Sequence, residues 1–260
     1  MLRTVHATRY VTPLREGGSL PAVVEADDDG LYVLKFRGAG QGPKVLIAEL
    51  LCGELGRILG LPVPEVVFVE LDAAIGRNEP DEEIQELVGN SVGLNLALDY
   101  LPGALAFDPL HATAIDPHLA ARIVWFDALI TNVDRTARNT NLLIWHRELY
   151  LIDHGAALYV HHTWTNWQER AKVRFPAIKD HVLLGAADDL YAADTILAPQ
   201  ITRALLKDLA AQIPESWLEG EATFADAAEH RAAYVEFLAS RLEEPRLFVE
   251  EAANAHAQRL

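Results

Sequence analysis

Between residues 132 and 155 the chain carries an Asp, an Asn and a second Asp at a telling spacing. Asp134 comes first, Asn139 follows five residues later, and Asp153 comes after two short apolar runs. Residues 141–145 and 149–152 read as strands, with 146–148 as the turn that joins them. Such a hairpin folds back and sets Asp153 beside Asn139. Upstream, over residues 120–131, Ile123, Phe126 and Ile130 recur at helical spacing, with Asp127 a polar residue among them. The segment therefore runs helix, loop, hairpin and then an Asp-x-Gly turn, Asp153-His154-Gly155.

Those residue types in that order suit phosphoryl transfer from ATP. Asp134 can receive the proton of an acceptor hydroxyl, while the amide oxygen of Asn139 and the carboxylate of Asp153 can hold Mg²⁺ on the phosphates. Both metal ligands would be hard oxygens, as this small cation requires. Taken singly, the same residues would serve as a helix cap, a turn residue and a strand end. The combination carries the reading.

Composition bounds the alternatives. The chain has 260 residues, half of them hydrophobic, enough for a sizeable core in one large domain or two lobes. Lys plus Arg number 22 against 38 Asp plus Glu, a net charge of −16. Such a surface repels nucleic acid and anionic membrane, so neither is expected as a partner. The charge of ATP would be met locally, by magnesium and a few cations. Cys52 is the one cysteine, which rules out an intrachain disulfide and suits a reducing cytoplasm. Its apolar, helical context predicts a buried thiol. The N-terminus lacks the apolar core of a signal peptide, and no run approaches the roughly 18 apolar residues of a membrane span. A soluble, cytoplasmic protein is expected. His146, His154, His161 and His162 lie near one another but fit no zinc spacing and have no cysteine partner. A Gly-x-Ser-x-Gly elbow and a dinucleotide fingerprint are both absent.

The pattern along the chain predicts a strand-rich first part. Strands are expected over 4–11, 21–26, 31–36, 66–71 and 92–100, with a hairpin turn at Asp27-Asp28-Asp29-Gly30. A helix over 44–59 presents Val45, Ala48, Leu51, Cys52, Leu55 and Leu59, and Gly60, Pro62 and Pro64 end it. Residues 76–86, rich in acids, read as a solvated loop. Beyond a break at Leu101-Pro102-Gly103 the chain is mainly helical, with helices over 188–197, 199–212 and 226–241 and a further one in the tail. Residues 159–177 are poorly patterned. Residues 159–194 would border the acceptor site, and Trp164, Trp167 and Phe175 are expected in the core.

Lys35 ends an apolar strand, where a kinase needs a lysine for the phosphates, and a glutamate of the next helix would position it. Glu49 is the first choice for that glutamate and Glu54 the second. Gly17-Gly18-Ser19 could form a phosphate-covering turn, because glycine lets backbone N–H groups face an anion. Gly38, Gly40 and Gly42 form a second glycine loop, read as a linker into the helix. Leu98-Asp99-Tyr100-Leu101 would join the two parts and meet adenine through its backbone.

With these parts in place the chain resembles the HipA-like kinase family, within the wider protein-kinase-like and phosphatidylinositol-kinase-like fold. The resemblance is carried by Val33-Leu34-Lys35-Phe36 with Gly40-Gln41-Gly42-Pro43, by Ala48-Glu49-Leu50 and by Leu59-Gly60-Leu61-Pro62-Val63-Pro64. The segment from Asn132-Val133-Asp134-Arg135 to Asn139 and the Asp153-His154-Gly155 turn complete it, so it covers residues 17–155. It implies an α+β, two-lobed protein-kinase-like fold, with a strand-rich nucleotide-binding lobe over 1–101 and a helical lobe over 102–260. It further implies Asp134 as catalytic base, Asn139 and Asp153 as magnesium ligands, and Lys35 with Glu49 as the phosphate-binding ion pair. ATP and Mg²⁺ would be the cofactors, and Ser or Thr of a protein the acceptor. Arg135 or Arg138 would help offset phosphate charge. No His-Arg precedes Asp134, a departure from ordinary protein kinases. The Asp-Arg-x-x-x-x-Asn pattern is shared with phosphatidylinositol kinases, which leaves a lipid or small-molecule acceptor open. The other alternative is a catalytically silent binding module.

Overall fold

Five strands close into a barrel in the order β1 (Thr4–Pro13), β2 (Ala22–Ala26), β3 (Leu31–Lys35), β5 (Gly93–Asp99), β4 (Val66–Leu71). All neighbours are antiparallel except β1 and β4, whose parallel pairing from Thr4–Phe68 to His6–Glu70 shuts the barrel. The computed structural model describes residues 2–14, 20–40, 42–76, 80–243 and 245–259.

The apolar run of β4 has two destinations because strand side chains alternate. Val67, Val69 and Leu71 fill the barrel with Val24, Leu34 and Ala97. Val66 and Phe68 point the other way, into a larger core shared with the helices. A strand covered on both faces reads as a continuous hydrophobic run, as this one does.

Helix α1 (Pro43–Ile58) starts with Pro43 at its first turn, a position where the missing N–H costs nothing. Residues 46–53 of α1 are all buried, because the barrel lies on one side and α6 (Arg203–Ala210) with Trp217 on the other. The expected single apolar stripe is therefore a helix covered almost all round, and Glu49 is buried with it. Trp217 packs edge-on to Phe68, with ring centroids 5.8 Å apart, and its indole N–H donates to the Leu94 carbonyl at 3.3 Å.

Two expectations fail here. The acidic stretch is not all loop, since Glu82–Asn90 forms α2, capped by the Asp81 side chain at Glu83 N–H. Ile84 and Val88 anchor it to the barrel core, and four-residue spacing hidden in an acidic run is what the charge count obscured. The helix expected from residue 199 begins at Arg203, after a short 3₁₀ turn, with the Thr202 hydroxyl as its cap.

Past β6 (Leu105–Ala106) comes α3 (Pro117–Leu129), and the hairpin β7 (Leu142–Trp145) and β8 (Glu148–Leu151) forms as expected. The rest is α4 (Trp167–Ala171), α5 (Leu190–Leu197), α6, α7 (Ala227–Arg241) and α8 (Leu247–Ala257), joined by 3₁₀ turns. Trp164 and Phe175 are buried, and Trp167 packs against the same core. The buried guanidinium of Arg241 caps the C-terminal end of α3, donating to the Leu129 and Ala128 carbonyls at 2.7 and 2.8 Å. That end would otherwise leave buried carbonyls without donors, and it leads straight into the loop that holds Asp134. No helix among the described residues is long and apolar enough to cross a membrane.

Candidate active site

Three segments far apart in sequence meet at one amine. Lys35, the last residue of β3, sends its Nζ to Glu49 Oε2 of α1 at 2.6 Å and to Asp153 Oδ1 at 2.6 Å. Lys35 and Glu49 are buried, while the Asp153 side chain is 46% exposed. Burial alone would lower the Lys35 pKa, but Glu49 and Asp153 outweigh it and hold the amine above the usual lysine value. Burial alone would raise Glu49. The Lys35 charge and the His154 contact outweigh it, and the carboxyl sits at about 2. The pair is therefore ionised. Glu54, the second choice, pairs with Arg57 at 2.7 Å on an exposed face and takes no part.

The turn after β8 is shaped to reach this pair. Asp153 has a positive φ of 55°, a strained conformation for a residue with a Cβ, worth about 1–3 kcal/mol. The next residue donates its backbone N–H to Glu49 Oε2 at 2.8 Å, and its ring, fully buried against Phe126, faces Glu49 Oε1 at 3.5 Å. A Cβ at Gly155 would lie 2.5 Å from Val45 Cγ1 of α1, so any larger residue would force Val45 to shift. The Asp-x-Gly turn and α1 are thus in direct contact.

Asp134 lies on the loop between α3 and β7. Its Oδ2 accepts from Asn139 Nδ2 at 2.7 Å and from Asn141 Nδ2 at 3.2 Å. The Asn139 amide nitrogen is thereby engaged, and its oxygen is left to face outward as an acceptor. Asn139 and Asp153 together offer only hard oxygens, a donor set that fits magnesium. Arg135 does not do what was expected of it. It is buried, its Nε on Asp127 Oδ2 at 2.6 Å and its Nη1 on the carbonyls of Asn141 and Ile152. It holds the loop to the Asp-x-Gly turn instead of reaching a phosphate. Arg138 is exposed.

The remaining expected residues are placed as follows. Leu98 and Leu101 are buried, Asp99 and Tyr100 half-buried. The N–H groups of Asp99 and Tyr100 already donate to Glu65 and Leu31 carbonyls, at 2.8 and 3.0 Å. Gly17, Gly18 and Ser19 lie outside the described residues. Gly42 has a φ of 66° at the entry to α1, consistent with a linker. The carboxylates buried most deeply are Glu49 and Asp127, not Asp134 and Asp153, so burial of the latter two is no argument against a silent site.

Sequence reasoning passed over Asp127, Asn132, Asn141, His181 and Lys44. Lys44 Nζ reaches the His161 carbonyl at 2.5 Å and Glu221 at 3.0 Å, tying the start of α1 to the helical part. Asp127 had a visible signal, a charge between the apolar run Ile123–Phe126 and Ala128-Leu129, since a carboxylate there must be paired.

The profile of the HipA-like kinase family matches residues 8–250. The chain belongs to the HipA-like kinase family. The match runs well past residue 155, where the recognisable motifs stop, and takes in α4 to α7. Among solved structures, the chain is similar to the Helicobacter pylori proinflammatory kinase CtkA, at 14% identity and TM-score 0.57, covering 98% of this chain and 99% of that one. It is also similar to a Golgi casein kinase, at 14% identity and TM-score 0.47, covering 99% and 74%. At such identity the likeness to CtkA speaks for the fold, an α+β kinase-like one. No curated protein matches the sequence.

Proposed function

We propose that this kinase transfers the γ-phosphoryl group of ATP to a Ser or Thr hydroxyl of a protein. The observation that carries the reading is the meeting of Lys35, Glu49 and Asp153 at one amine, because 118 residues separate Lys35 from Asp153 and only the fold joins them. Lys35 binds nucleotide phosphate and Glu49 fixes its direction. Asn139 and Asp153 hold magnesium, which supplies charge neutralisation on the phosphates. Asp134 takes the acceptor's proton on Oδ1, which accepts no hydrogen bond from the described residues while Oδ2 accepts two. Catalysis is then mainly positioning and electrostatics. The nucleotide lies between the barrel part, residues 1–101, and the helical part, residues 102–260. Adenine would meet 98–101, with Leu101 offering the N–H that Asp99 and Tyr100 cannot, and Gly17-Gly18-Ser19, outside the described residues, is the turn that its glycines suit to the phosphates. The net charge of −16 supports an acceptor of basic character, through steering of cationic partners, and disfavours nucleic acid or anionic lipid.

The test is transfer of labelled γ-phosphate from Mg–ATP to a panel of basic Ser/Thr peptides and to soluble polyamine alcohols. Transfer to peptide hydroxyls supports the reading. Transfer to the small cations alone would replace the protein acceptor, and absence of any transfer with intact nucleotide binding would favour a binding module.

A further inference from the structure

Asp127 is the fully buried carboxylate beneath the Asp134 loop, and each of its oxygens holds one neighbour of Asp134. Oδ1 accepts from Asn132 Nδ2 at 3.0 Å, and Asn132 Oδ1 in turn accepts the Asp134 N–H at 3.1 Å. Oδ2 accepts from Arg135 Nε at 2.6 Å and contacts His181 Nε2 at 2.9 Å. Through Arg135 the same cluster reaches the Asn141 and Ile152 carbonyls, and Asn141 also donates to Asp134. One buried anion therefore sets Asp134, the asparagines and the approach to Asp153 relative to one another.

His181 is the member that comes from elsewhere. It follows the segment 159–180, part of the stretch expected from the sequence to border the acceptor site, and it is 3% exposed. Its backbone pairs with Thr136, and the next residue, Val182, donates to the Arg135 carbonyl at 3.1 Å. Its ring state is fixed by geometry. Nδ1 lies 3.1 Å from the Leu183 N–H and must accept, so the proton sits on Nε2 and is donated to Asp127. The ring is neutral, and the Asp127 charge is balanced by Arg135. Burial also lowers the His181 pKa, the Asp127 contact opposing it only in part, in keeping with that state.

We infer that His181 is a positioning residue for phosphoryl transfer, holding the acceptor-side segment and the Asp134 loop in register through Asp127 and Arg135. This rests on the phosphotransferase reading above. Among the described residues no member of the cluster hydrogen-bonds Lys35 or the 98–101 strand end, and only the Arg135 contact with the Ile152 carbonyl lies next to Asp153, so the loss should fall on kcat more than on KM for Mg–ATP.

The experiment compares wild type with His181→Ala, His181→Asn and His181→Gln in Mg–ATP turnover with water as acceptor, alongside melting temperature. A glutamine amide can replace the Nε2 donor, whereas asparagine can replace only the Nδ1 acceptor. The expected result is a fall in kcat of about 10- to 100-fold in the Ala and Asn variants with a much smaller change in KM for Mg–ATP, the cost of a small misplacement of the base, and recovery of most of the rate with Gln. Unchanged kcat in a folded Ala variant overturns the inference. So does a Gln variant no better than Ala with KM rising as kcat falls, which is mere loss of structure. A second arm records ¹⁵N-resolved NMR of the ring and of the Asn132 and Arg135 side chains. An Nε2-protonated ring, with those side-chain signals displaced in the Ala variant, supports the inference. An Nδ1-protonated or cationic ring, or no displacement, overturns it. If wild type transfers phosphate neither to water nor to any peptide or polyamine alcohol of the panel, the phosphotransferase reading fails, and the inferred role falls with it. The NMR arm then reports separately whether the cluster itself is as described.

Discussion

Two buried carboxylates in this protein are each paired with a cation and each faced by a histidine, yet they are built differently. Asp127 is closed, with side-chain donors from Asn132, Arg135 and His181 on its two oxygens and none of its atoms exposed. Glu49 is open. Its Oε1 and both ring nitrogens of His154 have no hydrogen-bond partner among the described residues, and its lysine is shared with a half-exposed Asp153. Both Asp127 oxygens are satisfied, although Arg135 Nη2 beside them finds no partner among the described residues, and a satisfied buried carboxylate rigidifies what surrounds it. The comparison assigns the two sites different work. The Asp127 cluster holds the loop, and on the proposed function the Glu49 cluster would meet the nucleotide.

The largest expected effect breaks the closed site. Asp127→Ala leaves the Arg135 guanidinium buried without its counter-ion, which should cost about 3–5 kcal/mol in urea unfolding. A loss below about 1 kcal/mol would show that the cluster is not what holds the loop. Asp134→Asn acts on the open side of the same loop. It should lower phosphoryl transfer by about 10²- to 10⁴-fold, the usual worth of a general base, while the unfolding midpoint and Mg–ATP affinity stay as in wild type. Wild-type transfer rates in that variant would remove Asp134 from its role. Gly155→Ala tests the contact that keeps the open site assembled. The added methyl meets Val45 Cγ1 and should cost about 1–3 kcal/mol as overpacking, with Mg–ATP affinity falling in step. Val45→Ala in the same chain should recover both, and no recovery would show that the contact is incidental.

The smallest effect is in the acid limb of stability. Burial would raise Glu49, but the Lys35 charge and the His154 contact outweigh it, so its pKa falls from 4.5 to about 2 on folding. A depressed carboxyl contributes stability that is fully present above about 4.5 and is lost as pH falls towards 2. Lys35→Met removes the main lowering influence, so the acid limb of the variant should begin at higher pH than that of wild type. Superimposed acid limbs would mean that the pair is not ionised in the folded protein.

What could be read from the sequence was what local pattern dictates. The β4 run, the α1 boundaries set by Pro43 and Gly60, the hairpin and the order of Asp134, Asn139 and Asp153 all follow from propensity and spacing. The pairing of Lys35 with Glu49 was legible because a buried helix offered one glutamate among apolar neighbours. The Asp127 cluster was not legible, because His181 meets Asp127 across 54 residues and neither position has a motif of its own. Arg135 was misassigned for the same reason. A charge beside a catalytic-type aspartate looks solvent-facing until the fold shows the carboxylate beneath it. Helix α2 was lost in its own acidity, its two anchoring residues outnumbered by charges on the exposed face. Barrel closure through the parallel β1–β4 pair was equally out of reach, since strand pairing over some 60 residues leaves no periodic trace.

The most direct test of the central claim is calorimetry of ATP binding, with and without Mg²⁺, on wild type and on Asp153→Ala. The account predicts binding in wild type that requires Mg²⁺ and collapses in the variant, because the half-exposed carboxylate on Lys35 is the one that turns to the metal. Absence of binding in wild type, or binding indifferent to both Mg²⁺ and Asp153, would contradict it.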